Sequence, residues 1–267
     1  MLIDTHAHVS APEFADDLSD VLDRGSAAGV ERVICVGYDL ATSRRAVELA
    51  DQDSRIFATV GVHPNSVAEE SPDWRHEIER LALHPRVVAI GETGLDYYRD
   101  FTPASVQQEA LQWHLAFADS LGLPVVIHNR ETDDDMTTAL LDWAARRSSD
   151  SPPGVLHSFC GSSEMLVACA QVGFAVSFSG MVTFPNKSLA FMSDLVRQTP
   201  ADALLVETDS PYLAPMPFRG RRNEPGRTRQ VAERVAEIRG MSIEDVERLT
   251  TANAHRVFSR LGAVPVA

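Results

Sequence analysis

The chain has 267 residues, of which 44% are hydrophobic and 23% are charged, so its composition is that of an ordinary globular protein. The formal net charge of −14 disfavours attraction to a polyanion, so a nucleic-acid or phosphate substrate has to be held locally by metal ions or clustered arginines. No apolar run reaches the length of a membrane-spanning helix, and the N-terminal stretch is acidic where a signal peptide is basic and then apolar.

The three cysteines, Cys35, Cys160 and Cys169, are odd in number and have no CxxC spacing, which is typical of reduced thiols. Reduced thiols favour a cytoplasmic location. We also expect no membrane partner, since no apolar run is long enough to span a membrane, and a monomeric protein. Cys160 lies close to His157, but a bystander role is favoured over that of a thiol nucleophile.

Short apolar runs alternate with longer helical patterns along almost the whole chain. Eight runs are predicted to be strands: residues 2–8, 32–37, 56–63, 87–92, 124–128, 154–157, 174–178 and 203–208. Helical stretches such as "ASVQQEALQWHLAFADSLG" lie between them, and two more helices end the chain. This order predicts a single (β/α)8 TIM barrel, regular or distorted, over residues 1–267, with its active site at the C-terminal ends of the strands. A doubly wound sheet is the alternative fold.

Polar side chains that can bind metal close six of these apolar strands. They are His6 and His8 on the first strand, His63 on the third, Glu92 on the fourth, His128 on the fifth, His157 on the sixth, and Asp209 after the eighth. His6 and His8 are two residues apart, so they point to the same side of their strand, roughly 6–7 Å apart along it. Burying so many unpaired polar groups would cost several kcal/mol apiece, which metal ions would offset.

The remaining histidines lie in helices or turns, where packing or surface exposure explains them better. They are His76, His84, His114 and His255. The converging histidines and carboxylates instead predict a two-metal site in which one carboxylate bridges the ions. Such ions polarise a phosphoryl or carbonyl oxygen and lower the pKa of a bridging water, whose proton a nearby carboxylate can accept.

The HxH on the first strand, the histidines on the fifth and sixth and the aspartate on the eighth resemble the amidohydrolase superfamily. Many of its members bridge two metals with a carbamylated lysine on the fourth strand. Lys187 is the only lysine of this chain and lies past the seventh strand, so Glu92 takes that position instead. Because no lysine lies on a predicted strand of the barrel, Schiff-base aldolase chemistry is excluded as well.

More narrowly, the chain resembles the TatD family of metal-dependent deoxyribonucleases. The matching stretches, in the family's order, are "IDTHAH", "GVHP", "IGETGLDYY", "VVIHNR", "LHSF", "VETDSPYL", "RRNEP" and "TTANAHRVF". The resemblance implies a (β/α)8 barrel and magnesium-dependent hydrolysis of DNA phosphodiesters, often as a 3′→5′ exonuclease acting on single strands or 3′ ends.

Carried over by position, the resemblance also implies a role for each residue. His6, His8 and Asp209 hold one ion, Glu92 bridges, His128 and His157 hold the second, and His63 approaches a substrate phosphate as an imidazolium. Asp209 is the expected proton acceptor, so Asp209 and Glu92 are the expected catalytic residues. Asn65 departs from the family, where a histidine is common.

Because the chain is acidic, binding of a phosphodiester substrate requires cationic side chains near the site. Arg130, two residues past His128, starts at the barrel mouth, and arginine forks match phosphate oxygens. Arg222 lies in the Gly/Pro-rich loop "PFRGRRNEPGR", and a structural or substrate-orienting role is expected for it. Tyr97 and Tyr98 are candidates to stack on a base.

Two other functions stay open. The −14 charge favours a hydrolase of a lactone, amide or phosphotriester on the same two-metal barrel, since such substrates need no basic groove. A metal-binding adaptor without turnover is the third possibility, and the complete ligand set speaks against it. The family implies magnesium, whereas imidazole ligands also favour zinc or manganese.

Overall fold

The computed structural model describes residues 1–99 and 101–262, and it places eight parallel strands in one sheet, in the order β1 to β8. The strands are β1 (Leu2–Ala7), β2 (Val30–Val36), β3 (Ile56–Val60), β4 (Val87–Asp96), β5 (Val125–Arg130), β6 (Gly154–Leu156), β7 (Ala175–Phe178) and β8 (Leu204–Val206). A parallel bridge between Ala7 and Ser210, just past β8, brings the last strand back to the first.

Helices separate the strands, which confirms the predicted (β/α)8 barrel and excludes the doubly wound sheet. They are α1 (Leu18–Ala27), α2 (Leu40–Gln52), α3 (Trp74–Ala82), α4 (Ala104–Leu121), α5 (Asp133–Ala144), α6 (Ser163–Gln171), α7 (Met192–Gln198), α8 (Thr228–Arg239) and α9 (Ile243–Val257). Local signals fix their ends: a capping box of Asp39 and Thr42 begins α2, and Gly122, with φ of 63°, ends α4. Among the described helices, none is both long and apolar enough to cross a membrane.

The core has two layers, as a barrel requires. The larger layer fills the space between the strands and the surrounding helices, and the smaller one lies inside the barrel. Ala254, Val257 and Phe258 of the α9 region join the inner layer, and Asn253 donates to the backbone oxygen of Leu204 at the start of β8 (2.9 Å). The last helix therefore closes the N-terminal end of the barrel and leaves the C-terminal end open.

Several strands end at different residues from those predicted. β4 continues past Glu92 to Asp96 because Gly94 pairs with His128 and Asp96 pairs with Arg130 of β5. β3 and β8, in contrast, are shorter than predicted, and β6 ends just before His157. Most of the predicted site residues therefore lie at the rim of the barrel or on the first residues of the loops beyond it.

Candidate metal centre

His6 and His8 close the first strand with their rings aimed at the same point. Their Nε2 atoms lie 3.2 Å apart, and both side chains are buried. The Nδ1 of His8 lies 3.1 Å from the backbone oxygen of Val36 on β2, to which it donates, so Nε2 is left with its lone pair directed into the site.

Asp209 lies just after β8, next to β1 where the barrel closes, and its carboxylate faces these two rings. Its Oδ1 lies 3.3 Å from Nε2 of His8 and 3.7 Å from Nε2 of His6. The backbone N–H of Asp209 donates to the His6 oxygen (2.8 Å), which fixes the loop after β8 against β1. Its φ of 56° is left-handed, a conformation that aspartate tolerates better than most residues and that recurs at functional sites.

Glu92 lies at the centre of the cluster, with one oxygen directed to each half. Its Oε2 lies 3.6 Å from Nε2 of His6 and 3.8 Å from Nε2 of His8. Its Oε1 lies 3.2 Å from Nδ1 of His128 and 3.0 Å from Nε2 of His157. The carboxylate is therefore placed to connect two groups of ligands.

Carboxylates behind His128 and His157 orient both rings. Nε2 of His128 lies 3.3 Å from Oδ2 of Asp96, and Nδ1 of His157 lies 3.4 Å from Oε1 of Glu207. Asp96 is held in turn by Asn65, whose Nδ2 donates to Oδ2 at 2.9 Å. In each pair the ring nitrogen nearer Glu92 is left to bind at the centre.

The prediction missed Asp96 and Glu207. Both belong to stretches that carried the family resemblance, "GETGLD" and "VETDSPYL", so the signal was present. Asp96 lies beyond the predicted end of the fourth strand, and Glu207 lies on the predicted eighth strand beside the more prominent Asp209. A buried acid within reach of a metal-site histidine is the general signal for such positions.

His63 lies in the loop after β3, with Nε2 3.6 Å from Oε1 of Glu92. Burial, together with the charge of His128, lowers the pKa of His63 to about 3, which favours a neutral ring over the predicted imidazolium. The Nδ1 of His63 accepts the backbone N–H of Asn65 (3.1 Å), which leaves the proton on Nε2. His114 helps to hold this loop, since its Nε2 accepts the N–H of Val62 (3.1 Å).

Electrostatics keep the central carboxylates charged. Burial by itself raises the pKa of Glu92, but the His157 charge and the hydrogen bonds from His128 and His157 together hold that pKa well below the usual value. Burial likewise opposes ionisation of Asp209, and the hydrogen bond with His8 lowers its pKa. His157 responds in the opposite sense: despite burial, the charge of Glu92 raises its pKa well above the usual value. The carboxylates thus draw positive charge into the cluster.

A divalent metal ion fits this donor set, because imidazole nitrogens and carboxylate oxygens are its common ligands. In the part of the chain that the structure describes, three groups of side chains have ligand atoms within 4.8 Å of one another: His6, His8 and Asp209; His6, Glu92 and His157; and His63, Glu92 and His128. All six predicted metal ligands therefore come together.

The cluster opens into a pocket of about 610 Å³ at the barrel mouth. Tyr38, Arg130, Met181, Tyr212 and Leu213 are among the side chains that line it around the histidines. The ring of Tyr38 lies 5.3 Å from that of His8, measured between centroids, and the ring of Tyr212 lies 6.1 Å from it. The pocket thus combines a polar floor with partly aromatic walls.

Two of the predicted substrate contacts do not lie in this pocket. Arg222 donates to both carboxylate oxygens of Asp17 (2.8 and 2.7 Å), so it ties the loop after β8 to the start of α1. The hydroxyl of Tyr97 donates to Asp135 (2.7 Å), and the half-buried ring packs on the core. The guanidinium of Arg222 is therefore occupied by Asp17 and the hydroxyl of Tyr97 by Asp135, whereas Arg130 lines the pocket.

We expect Glu207→Gln to weaken divalent metal binding by about 10- to 100-fold, because loss of a carboxylate that orients a ligand histidine typically lowers metal affinity by this factor. The amide keeps the shape of Glu207 but offers His157 a weaker acceptor. Isothermal titration with Mn2+ measures the effect, and Glu244→Gln on the exposed side of α9 is the matched control. Unaltered affinity in Glu207→Gln would mean that His157 needs no orienting partner.

The sequence family of the chain agrees with this geometry. The model of the family described as TatD related DNase matches residues 3–259. The chain belongs to this family. A metal-dependent hydrolase of Bacillus subtilis, named YabD and called uncharacterized, is 40% identical over 258 residues, which cover 97% of this chain and 99% of that protein.

Other relatives of the TatD family cover equally much of the chain. A Salmonella typhimurium protein named 3′-5′ ssDNA/RNA exonuclease TatD is 35% identical, over 96% of this chain and 98% of its own. The crystal structure of the TatD homologue YJJV from Escherichia coli superposes with a TM-score of 0.89 at 28% identity, and the match covers 97% of this chain and 98% of that one. The chain is therefore a metal-dependent hydrolase of the TatD type.

Proposed function

We propose that this protein hydrolyses the phosphodiester bonds of single-stranded DNA from the 3′ end, with two divalent metal ions bound at the barrel mouth. One observation carries the proposal: the two oxygens of Glu92 face two separate groups of histidines, which is the arrangement expected of a carboxylate shared by two ions. The name of the Salmonella relative, a 3′-5′ ssDNA/RNA exonuclease, supports the choice of substrate.

The ligands divide between two ions. His6, His8 and Asp209 would hold one, His128 and His157 the other, and Glu92 would touch both. When bound, a pair of divalent ions lowers the pKa of water and stabilises the charge that develops on a phosphoryl oxygen. Magnesium is the ion that the family implies, and zinc or manganese suit the imidazole ligands.

The chain's own residues position the substrate and move the proton. Asp209 is ionised and reaches the pocket, so its Oδ1 can accept the proton of the attacking water. His63 carries its proton on Nε2 and can donate to a phosphate oxygen as a neutral imidazole, which keeps its proposed substrate-binding role without the predicted charge. Arg130 supplies a cation beside the same phosphate.

Digestion of end-labelled single-stranded DNA tests the proposal. Metal-stripped protein is refilled with Mg2+, Mn2+ or Zn2+ and given DNA, RNA, a lactone and a phosphotriester side by side. A metal-dependent ladder that shortens from the 3′ end is the expected result. Intact DNA with a cleaved neutral ester would replace the proposal by the ester hydrolase, which the −14 charge favours. No turnover of any substrate would leave the metal-binding adaptor.

A further inference from the structure

Most cationic side chains of this acidic protein are already occupied. Within residues 1–99 and 101–262, nearly all arginines pair with a carboxylate or donate to a backbone oxygen. Those that do neither, together with the one lysine, are Arg99, Arg130, Arg146, Lys187, Arg219 and Arg221. The guanidinium of Arg219 donates to the amide oxygen of Asn186. Arg130 is the last residue of β5, and all the others except Arg146 lie in the connections that follow strands, on the face that carries the metal centre.

Four residues form the first of two cation–aromatic surfaces, the β4–β5 pad: Tyr98, Arg99, Phe101 and Arg130. The guanidinium carbon of Arg130 lies 3.8 Å from the centroid of the Tyr98 ring. Tyr98 and Phe101 are 54% and 61% exposed, so both rings offer a face to a ligand. Because Arg130 also lines the metal pocket, this pad begins directly beside the centre.

The second surface, the β7–β8 pad, consists of Phe184, Lys187, Arg219 and Arg221. The guanidinium carbon of Arg219 lies 4.5 Å from the centroid of the Phe184 ring. Its Nη1 also donates to Oδ1 of Asn186 (2.8 Å), next to Lys187 in the chain. Two cation-bearing loops therefore meet in a single basic corner.

The β7–β8 pad is fixed to the pocket by the loops that carry it. The backbone N–H of Met216 donates to the hydroxyl of Thr183 (2.9 Å), which joins the loop after β8 to the segment after β7. Met181 and Leu213, a few residues before the pad on each loop, line the metal pocket. The two pads thus border the pocket from strands that are three positions apart in the ring of eight.

The surroundings of the two pads differ in charge. Past Arg130 lies a cleft of about 970 Å³ whose lining includes five carboxylates: Glu131, Asp133, Asp134, Asp135 and Glu164. These carboxylates would repel the phosphodiester backbone of a nucleic acid that entered the cleft. Near the β7–β8 pad, in contrast, Asp17 is paired with Arg222 and Glu224 with Arg24.

From this asymmetry we infer that a single nucleic-acid strand crosses the mouth in one direction, along a track formed by the β4–β5 pad and the β7–β8 pad. Its terminal nucleotide lies on the β4–β5 pad. The acidic cleft beyond this pad repels further phosphates, so the pad holds about one nucleotide. The body of the strand lies across the β7–β8 pad, where arginines bind phosphates and Phe184 can stack on a base irrespective of sequence. The inference rests on the proposed function and adds to it a preference for strands of several nucleotides.

A comparison of substrate lengths tests this track. We compare kcat/KM for a single-stranded 20-mer and for a dinucleotide, using Mn2+-loaded protein. Arg219→Gln with Arg221→Gln is expected to lower the ratio of the two values about tenfold, because only the 20-mer reaches that pad. Arg130→Gln is expected to lower kcat/KM for both substrates. Arg197→Gln with Arg248→Gln removes the same charge from exposed helices away from the mouth and is the matched control.

The salt dependence of binding gives a second readout. Loss of two phosphate contacts is expected to reduce the slope of log K against log salt for the 20-mer by about 1.4, at roughly 0.7 per cation on a single strand. An equal loss on dinucleotide and 20-mer, or a ratio matching that of the control, would overturn the track while leaving the nuclease intact. If wild-type protein cleaves neither substrate with any metal, the proposed function fails, and the track fails with it.

Discussion

Glu92→Ala should lose hydrolytic activity by about 1,000-fold or more, and its bound metal should fall from two ions to at most one. The reason is geometric: Glu92 is the one carboxylate within 4 Å of both His6 and His157, so no other side chain in the described part of the chain can replace it as the shared ligand. Metal content by mass spectrometry and kcat on single-stranded DNA measure the two effects.

A second substitution separates charge from shape. Glu92→Gln keeps the volume of the buried side chain, so a similar loss in a protein that unfolds with unaltered cooperativity would assign the effect to the carboxylate. Removing a buried anion among histidines also leaves the charge of His157 uncompensated, so some loss of stability is expected in both variants. Two retained ions and activity within tenfold of wild type would contradict the shared-ligand account.

Asp209→Asn should lower kcat by about 100- to 10,000-fold at saturating metal, the range expected when a general base is removed. Asparagine also tolerates the left-handed backbone at this position, where φ is 56°, so the loop should keep its conformation. Because Asp209 is also a proposed ligand, metal affinity should fall as well, and kcat must be measured at several metal concentrations.

The pH profile identifies the base. Wild-type kcat should decline at acidic pH as Asp209 becomes protonated, and since His8 lowers the pKa of Asp209, that decline should begin below the ordinary range of aspartate. The residual activity of Asp209→Asn should lack this decline. Asp202→Asn removes the same charge from the loop before β8, at the closed end of the barrel, and is the matched control. A kcat within threefold of wild type would assign the proton to another group.

The sequence was sufficient for the barrel and for the residues that end its strands. Six of the eight predicted apolar strands close with a histidine or an acid, and in a parallel barrel the C-terminal ends converge, so His6, His128 and Asp209 could be placed together without coordinates. The length of β4 could not be anticipated, because its extension past Glu92 depends on pairing between residues such as Gly94 and His128, which are far apart in the chain. Asp96 was missed for this reason.

Side-chain partners were the other limit. Arg222 stands in a family-like motif, but its partner Asp17 is 205 residues away in sequence, and only the fold shows that its guanidinium is occupied. Tyr97 and Tyr98 are equivalent in sequence, and only the position of Asp135 shows which hydroxyl is held and which ring is exposed. The charge state of His63 likewise depends on burial and on His128.

Anomalous scattering from Mn2+-soaked crystals would show whether two ions share Glu92. We expect two peaks about 3.5–4 Å apart at the C-terminal mouth of the barrel, each in contact with a different oxygen of Glu92. His6, His8 and Asp209 should surround one peak, and His128 and His157 the other. A single peak, or two peaks of which Glu92 touches only one, would contradict the two-metal centre.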